Sequence, residues 1–341
     1  MKKKSWPLVF ILSVTFGVFL TMQTPVFAAD PIQLSFANLF PPTHLHSKTY
    51  EAWGNEIEKR TGGKVKFNYY HGQTLLKGDK IYDGILQGIA DSGTSVLSYT
   101  RNVFPALESL ELPMAYKSGY QATMVISEFV KTHKLKELSK VKILYMHAHG
   151  PGLLHSKKPV NKMEDLKGLK VRSSGFNANI AELLGGVPVS MPQPGVYEAL
   201  QKGVADATLS PYEVLFGWKQ AEVIKATTEC YSVGYTSGFF VFMNQNKWNS
   251  LPPDVQKVID EVSALWPAKQ GEAWNKLDKM GKDFSLEKGN EAITLSPEES
   301  ARWAEAVQPV VNKYIKDRTA EGLPAAEYVA TARELVKKYE P

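Results

Sequence analysis

One cysteine, Cys230, stands in a chain of 341 residues. A lone thiol leaves no internal disulfide framework, so the fold must be held by its apolar core, and 43% hydrophobic residues make that feasible. Cys230 lies in TTECYSVGY, read as a buried strand, where burial raises a thiol's pKa and makes it inert. Nucleotide and hydrolase signatures are missing too. No G-x-G-x-x-G follows the first strand, where FANLFPPTH stands instead, and the chain holds no G-x-S-x-G, no H-E-x-x-H and no phosphate-cradling glycine loop. There is no low-complexity linker and no long run of one charge sign.

Long apolar runs are missing except at the start. Lys2, Lys3 and Lys4 precede an apolar stretch at 6–20, and Val26-Phe27-Ala28 follows as a signal-peptidase site. Residues 1–28 are expected to be a signal peptide, with cleavage after Ala28 or Ala29. No cysteine follows for a lipid anchor, and no later segment approaches the ~18 apolar residues of a membrane helix. Without the three leader lysines, 37 basic residues face 35 acidic ones, a charge of +2. That is no footprint for nucleic acid. The mature chain is expected to be a soluble, exported protein of two domains, since roughly 310 residues exceed one comfortable core.

What is present alternates strand and helix. IQLSFA (32–37) and KVKFNYY (64–70) alternate as strands, and the segment from His44 to Gly63 between them carries Leu45, Thr49, Trp53 and Ile57 at helical spacing. A helix around 78–88 that carries Ile81, Ile85 and Ile89 and a strand at 91–96 follow. The second half repeats this with VKILYMH (141–147), LKVRS, a helix at 176–185, VSM, a helix at 194–203 and ADATLS. The class is α/β with parallel sheets. LQGIAD (86–91) and LQKGVAD (200–206) share a helix end, a glycine, a small apolar step and an Asp, which marks two halves of one topology or the ordinary punctuation of any α/β chain. The last third is helical. LPPDVQKVIDEVSALW begins a helix running to about 283, bent at Pro267, and Ser296-Pro297 with Glu299 starts another that continues through ARWAEAVQPVVNKYIKD. A helix at 325–339 closes the chain.

Three groups of residues carry candidate chemistry. His44 with His46, and His147 with His149, are i, i+2 pairs able to share a metal on a strand or loop; the simpler reading places them at a helix start and a strand end. Phe40, Tyr99, Tyr212, Trp218 and Phe239 fall at expected strand ends or loops, where open α/β sheets bind ligands. Arg172 ends the strand in LKGLKVRSSG, beside Ser173, Ser174 and Gly175. A guanidinium at a cleft mouth holds a carboxylate by two parallel hydrogen bonds, with hydroxyl and backbone donors alongside. Taken alone, it reads rather as a solvated or structural charge.

The run SKKPVNKMEDLKGLKVRSSGFNANIAELLGGVPVSMPQPGVYEALQKGVADATLSPYEVL resembles the DctP-like solute-binding subunits of tripartite ATP-independent periplasmic (TRAP) transporters, as do HGQTLLKGDKIYDGILQGIADSG, FPALESLELPMAY and the helix at LPPDVQ. The resemblance implies a two-domain periplasmic binding protein fold, a ligand cleft between the domains and a long helix spanning both. Expected boundaries are 29–149 with 237–278 and 309–341 for domain I, and 150–236 with 279–308 for domain II. It implies no enzymatic role and no cofactor or metal, a carboxylate ligand, membrane permease subunits as partners and uptake driven by an ion gradient. A monomer is expected, a dimer being the alternative. Within the family motif DLKGLK-x-R, Arg172 is the residue implied to salt-bridge the ligand. Where the family often has asparagine, Ser210 stands, and where some members carry a second arginine, Gly152 stands, with His155 a weak substitute. The implied ligand set is Arg172, Ser174, Ser210, Phe40, Tyr99, Trp218, Phe239 and His155. One arginine and aromatic walls favour a small monocarboxylate with an apolar or aromatic body. C4-dicarboxylates and keto or sugar acids stay open within the family, as do a sensor subunit of the same fold and an exported metal-dependent hydrolase outside it.

Overall fold

The computed structural model describes residues 1–4, 30–100 and 102–341. Most of the expected leader therefore lies outside the described residues. Residues 1–30 form a unit separate from 31–341, and the fold is that of the latter. Its strands are β1 (Ile32–Ala37), β2 (Val65–Tyr70), β3 (Ser92–Val96), β4 (Val141–Ala148), β5 (Leu153–Ser156), β6 (Lys170–Ser173), β7 (Val187–Ser190), β8 (Ala207–Ser210), β9 (Ala226–Glu229), β10 (Gly238–Asn244) and β11 (Glu291–Thr294). Its helices are α1 (Leu45–Arg60), α2 (Ile81–Leu86), α3 (Gly119–Thr132), α4 (Ala178–Leu183), α5 (Val196–Gln201), α6 (Glu213–Gly217), α7 (Gln245–Ser250), α8 (Pro253–Glu287), α9 (Pro297–Ala306), α10 (Gln308–Ala320) and α11 (Ala325–Lys338).

Two sheets build two lobes. The first has the order β2-β1-β3-β10-β4, and the second β7-β6-β8-β5-β9-β11. In each, three parallel strands lead, and an antiparallel strand follows that arrives from the other half of the chain. The chain crosses from β4 into β5 and returns from β9 into β10, so each lobe lends the other a strand. The matching LQGIAD and LQKGVAD segments occupy matching places. Gly88 and Gly203 both end a short helix at φ +75°, a conformation that glycine adopts without strain. Asp91 then accepts from the backbone N–H of Ser35 on β1 at 2.8 Å, and Asp206 from that of Lys170 on β6 at 3.0 Å. The Asp therefore serves one purpose in both halves: just ahead of its own strand, it accepts a backbone N–H of the neighbouring parallel strand.

Each sheet encloses its own apolar core. Phe36, Tyr50, Trp53, Phe240 and Phe242 lie in the first, and Leu154, Val171, Ile180, Leu209 and Trp303 in the second. Helix α8 packs on α1, α3 and β4 and also on α6 and β11, so it lies across both lobes as the resemblance implied. It continues through Pro267 as one helix. Four expectations need correction. Ile89 lies beyond Gly88 and is 52% exposed, because α2 ends at Leu86. Strand β9 stops at Glu229, so Cys230 sits in the turn that follows, still buried, with burial pushing its thiol pKa up to about 12. The helix from Ser296 breaks at Val307, where Pro309 cannot donate to the preceding turn. Finally, Val310, Val311 and Tyr314 of α10 pack in the second core, although 309–341 was assigned to the first.

Candidate functional site

Parallel strands deliver their C-terminal ends to one edge of each sheet, and the two edges face each other. Phe40 follows β1, Tyr99 follows β3, Arg172 and Ser174 end β6, and Ser210 ends β8. Phe239 starts β10, which runs antiparallel opposite Val96 and so reaches the same edge. These six, with Trp218 after α6, line one cavity between the lobes, with an empty space of about 450 Å³ including its mouth. Seven of the eight residues of the implied ligand set therefore meet in one place.

His155 does not. It is buried behind the cavity, with Nδ1 2.9 Å from Thr227 Oγ1 and Nε2 3.0 and 3.1 Å from the Ser210 and Pro211 carbonyls. Its Nε2–H fixes the turn that carries Ser210. Burial pulls its pKa down to about 4, so it adds no charge near neutrality. Gly152 has its own reason: a Cβ there would lie 2.0 Å from the Tyr235 ring, and Tyr235 lines the cavity. A larger side chain at that place would displace the cavity wall.

Arg172 is 4% exposed. Strand β6 is flanked by β7 and β8, so Arg172 sits in the middle of a sheet rather than on a free edge. Its Nε and Nη2 both donate to the Met191 carbonyl, at 3.1 and 2.9 Å, and Nη1 to Ser210 Oγ at 3.3 Å. The short side chain of Ser210 thus reaches the guanidinium and orients it. The Tyr99 hydroxyl lies beside the guanidinium and accepts the Gln193 backbone N–H at 2.8 Å. None of the ion pairs among the described residues includes Arg172. Burial lowers its pKa from the ordinary value, but an arginine starts high enough to stay charged. The result is a buried, oriented cation with no carboxylate of its own, facing apolar walls.

The walls are aromatic. Phe40 lies 5.8 Å from Trp218 and 5.9 Å from Phe239, and Phe239 lies 5.2 Å from Trp274, measured between ring centroids. Trp274, on α8, lines the cavity but was not singled out from the sequence. It is set by His147: Trp274 Nε1 donates to His147 Nδ1 at 2.9 Å, which leaves Nε2–H to face the Tyr50 hydroxyl at 3.0 Å. His44 Nδ1 accepts the His46 N–H, so Nε2–H meets Glu213 Oε1, 2.6 Å away across the lobes. His46 Nδ1 pairs with the Gln270 amide and His149 Nδ1 with the Gly150 carbonyl. The paired histidines thus hold walls and lobes in place. Burial drives His46 and His147 well below the usual imidazole range and His149 to about 4, so all three are neutral at pH 7.

The lobes also touch around the cavity. Ser98 Oγ donates to Ser174 Oγ at 3.1 Å, and Asn177 Nδ2 to Ser237 Oγ at 3.1 Å. Gly175, at φ +55°, lets the loop after β6 come against Ser98. Asp278 of α8 accepts the Glu213 N–H at 2.9 Å, and burial pushes its carboxyl up to about 8. Gln193, Glu213, Tyr235, Ser237 and Trp274 are site residues that the sequence reading missed. The period-2 and period-3.6 patterns mark strands and helices, not the crossover loops that supply Tyr235 and Ser237.

A family model described as bacterial extracellular solute-binding protein, family 7 (DctP), matches residues 36–317. The C4-dicarboxylate-binding periplasmic protein DctP of Vibrio cholerae is 27% identical over 282 residues, 79% of this chain and 82% of that protein. A TRAP periplasmic solute-binding protein from Desulfovibrio salexigens, solved as an open complex, is 35% identical with a TM-score of 0.80 and covers 92% of this chain and 97% of its own. A marine metagenome TRAP solute-binding protein specific for aromatic acid ligands, solved with metahydroxyphenylacetate, is 30% identical with a TM-score of 0.86, over 91% of this chain and all of its own (100%).

Proposed function

Since the chain belongs to the DctP family of extracellular solute-binding proteins, the substrate-binding subunits of TRAP transporters, we propose that it captures a small monocarboxylate with an apolar or aromatic body. The solute is handed to membrane permease subunits for ion-gradient-driven uptake. The lobes close over it, and export by the leader at 1–28 places the protein in the periplasm. Among the described residues, no helix is long and apolar enough to cross a membrane.

One observation carries the reading: Arg172 is a buried cation without an acidic partner in a cavity walled by Phe40, Trp218, Phe239 and Trp274. An unpaired buried charge is costly, and a ligand carboxylate with two parallel hydrogen bonds offsets that cost. The aromatic-acid specificity of the metagenome relative supports the apolar body. A dicarboxylate fits less well. Among the cavity-lining residues His149 is neutral, and Glu213 is an acid already bonded to His44, so a second carboxylate meets no cation.

Arg172→Met tests this by titration calorimetry against benzoate, phenylacetate and succinate. Breaking a buried pair costs about 3–5 kcal/mol, so the best ligand of the wild-type protein should weaken by roughly two to four decades. Arg172→Lys, without the planar fork, should weaken it strongly but less. Wild-type affinity in Arg172→Met would refute the assignment.

A further inference from the structure

The cavity has hydrogen-bond capacity beyond the Arg172 guanidinium. Trp218 Nε1 and Gln193 Nε2 are both buried, both belong to cavity-lining residues, and neither has an acceptor among the described residues. The other side-chain atoms in that condition, such as His46 Nε2, Gln270 Oε1 and both Gln220 polar atoms, belong to residues that do not line the cavity. Buried N–H groups without partners are rare because each forfeits its bond to water. Two of them on one small cavity point to a ligand that supplies the acceptors.

Their placement divides the work. Gln193 belongs to the carboxylate end. Its own backbone N–H donates to the Tyr99 hydroxyl, and Met191, two residues earlier, holds the Arg172 guanidinium. Trp218 belongs to the apolar end, with its ring against Phe40 and His44 at 5.8 and 5.9 Å. Both groups are neutral donors, which bring no charge to offset the burial of a second carboxylate, so the acceptors they fit best are neutral oxygens. The unpaired lining atoms are both N–H donors, so the ligand must bring lone pairs.

We propose, on the basis of the carboxylate reading above, that the solute is an oxygen-bearing monocarboxylate, a hydroxy- or oxo-acid, and that Trp218 and Gln193 are the residues that select for that oxygen. Gln193 reads an oxygen next to the carboxylate, and Trp218 one carried on the body. A site built to donate to such an oxygen also discriminates against the parent acid, which leaves the donor buried and unpaired.

The test is a set of matched pairs measured by calorimetry. Phenylacetate is compared with mandelate, phenylpyruvate and 3- and 4-hydroxyphenylacetate, and 4-methylpentanoate with its 2-oxo analogue. At least one oxygenated acid should bind the wild-type protein about 10- to 100-fold more tightly than its parent. Gln193→Met should shrink that ratio for the acids oxygenated beside the carboxylate, and Trp218→Phe, which keeps the ring and removes the N–H, for those oxygenated on the ring. Ligand-free melting temperatures show that each variant is folded. Parents bound as tightly as every oxygenated partner would overturn the proposal, as would a preference that survives in both variants. In either case the carboxylate reading stands, because the parents still bind. If no acid in the panel binds, both readings fall.

Discussion

Replacing Gly175 by alanine separates what folding needs from what closure needs. Gly175 lies after β6 at φ +55°, and a Cβ there would stand 2.6 Å from Ser98 Cβ, 2.8 Å from Ser98 Cα and 2.9 Å from the Ser98 carbonyl oxygen. Two costs follow. The left-handed conformation costs alanine roughly 1–2 kcal/mol, whether the lobes are apart or together. The overlap with Ser98 arises only when they are together, because Ser98 belongs to the first lobe and Gly175 to the second. Two of the three contacts are with Cα and backbone oxygen, so no rotamer change relieves them, and the lobes must stand apart by a few tenths of an ångström. Overpacking of this kind costs about 1–3 kcal/mol, which falls wholly on the closed, ligand-bound state. Gly175→Ala should therefore lower the melting temperature of the free protein by a few degrees and weaken ligand binding by roughly 5- to 150-fold. Gly62→Ala is the control: its φ is +63°, and nothing lies within 4 Å of the added Cβ. It should lower the melting temperature similarly and leave the calorimetric Kd unchanged. If Gly175→Ala behaves like Gly62→Ala in both measurements, the contact with Ser98 is no part of the bound state and the reasoning fails.

Three further outcomes are expected. Gly152→Ala pushes a Cβ to 2.0 Å from the Tyr235 ring, so it should lose about 1–3 kcal/mol of stability and weaken ligand binding; unchanged thermal and calorimetric values would refute it. His147→Phe leaves the Trp274 N–H buried without an acceptor and should cost about 1–3 kcal/mol, read as a lower midpoint in urea. The third outcome concerns pH. Burial raises the Asp278 and Glu111 carboxyls to about 8, so below the ordinary carboxyl range folded and unfolded chains hold these protons alike. Between that range and about 8 only the folded chain holds them, so stability falls as pH rises, by about 1.4 kcal/mol per unit and group. His149 and His155, pulled to about 4, act the opposite way, but only below the ordinary imidazole range. The window from about 6.5 to 8 therefore isolates the carboxyls, and melting curves of Asp278→Asn should fall less steeply there than those of the wild-type protein. Equal slopes would refute the assignment to Asp278.

Local periodicity made most elements legible. Val196 and Leu200 face inward as their spacing implies, and Ser296 caps α9 by accepting the Glu299 N–H. Legibility failed where a position depends on distant chain. Nothing in GFFVFMN says that it pairs with β3 and β4 rather than with a strand of the preceding lobe. Arg172 was legible because a strand end, serines and a glycine coincide in a family motif. Gln193 was not, since its value lies in an unpaired amide that only tertiary placement reveals. His155 misled for a related reason: its place beside the cavity follows from the strand order, and the hydrogen bonds that turn it away from the ligand come from β8 and β9, more than 50 residues later.

Strand β10 fills the slot between β3 and β4, yet it is made after the whole run from β5 to β9. A growing chain that has reached residue 237 thus carries two strands with open edges and no central partner for them. The first lobe cannot finish until its last-made strand returns over roughly a hundred residues, a closure whose entropy slows folding. On the export route proposed above, that delay would be useful, because an amino-terminal half still lacking its central strand stays unfolded enough to be threaded across a membrane. A chain truncated at residue 237 should accordingly remain protease-sensitive, and one extended through α8 should gain resistance over its first 150 residues.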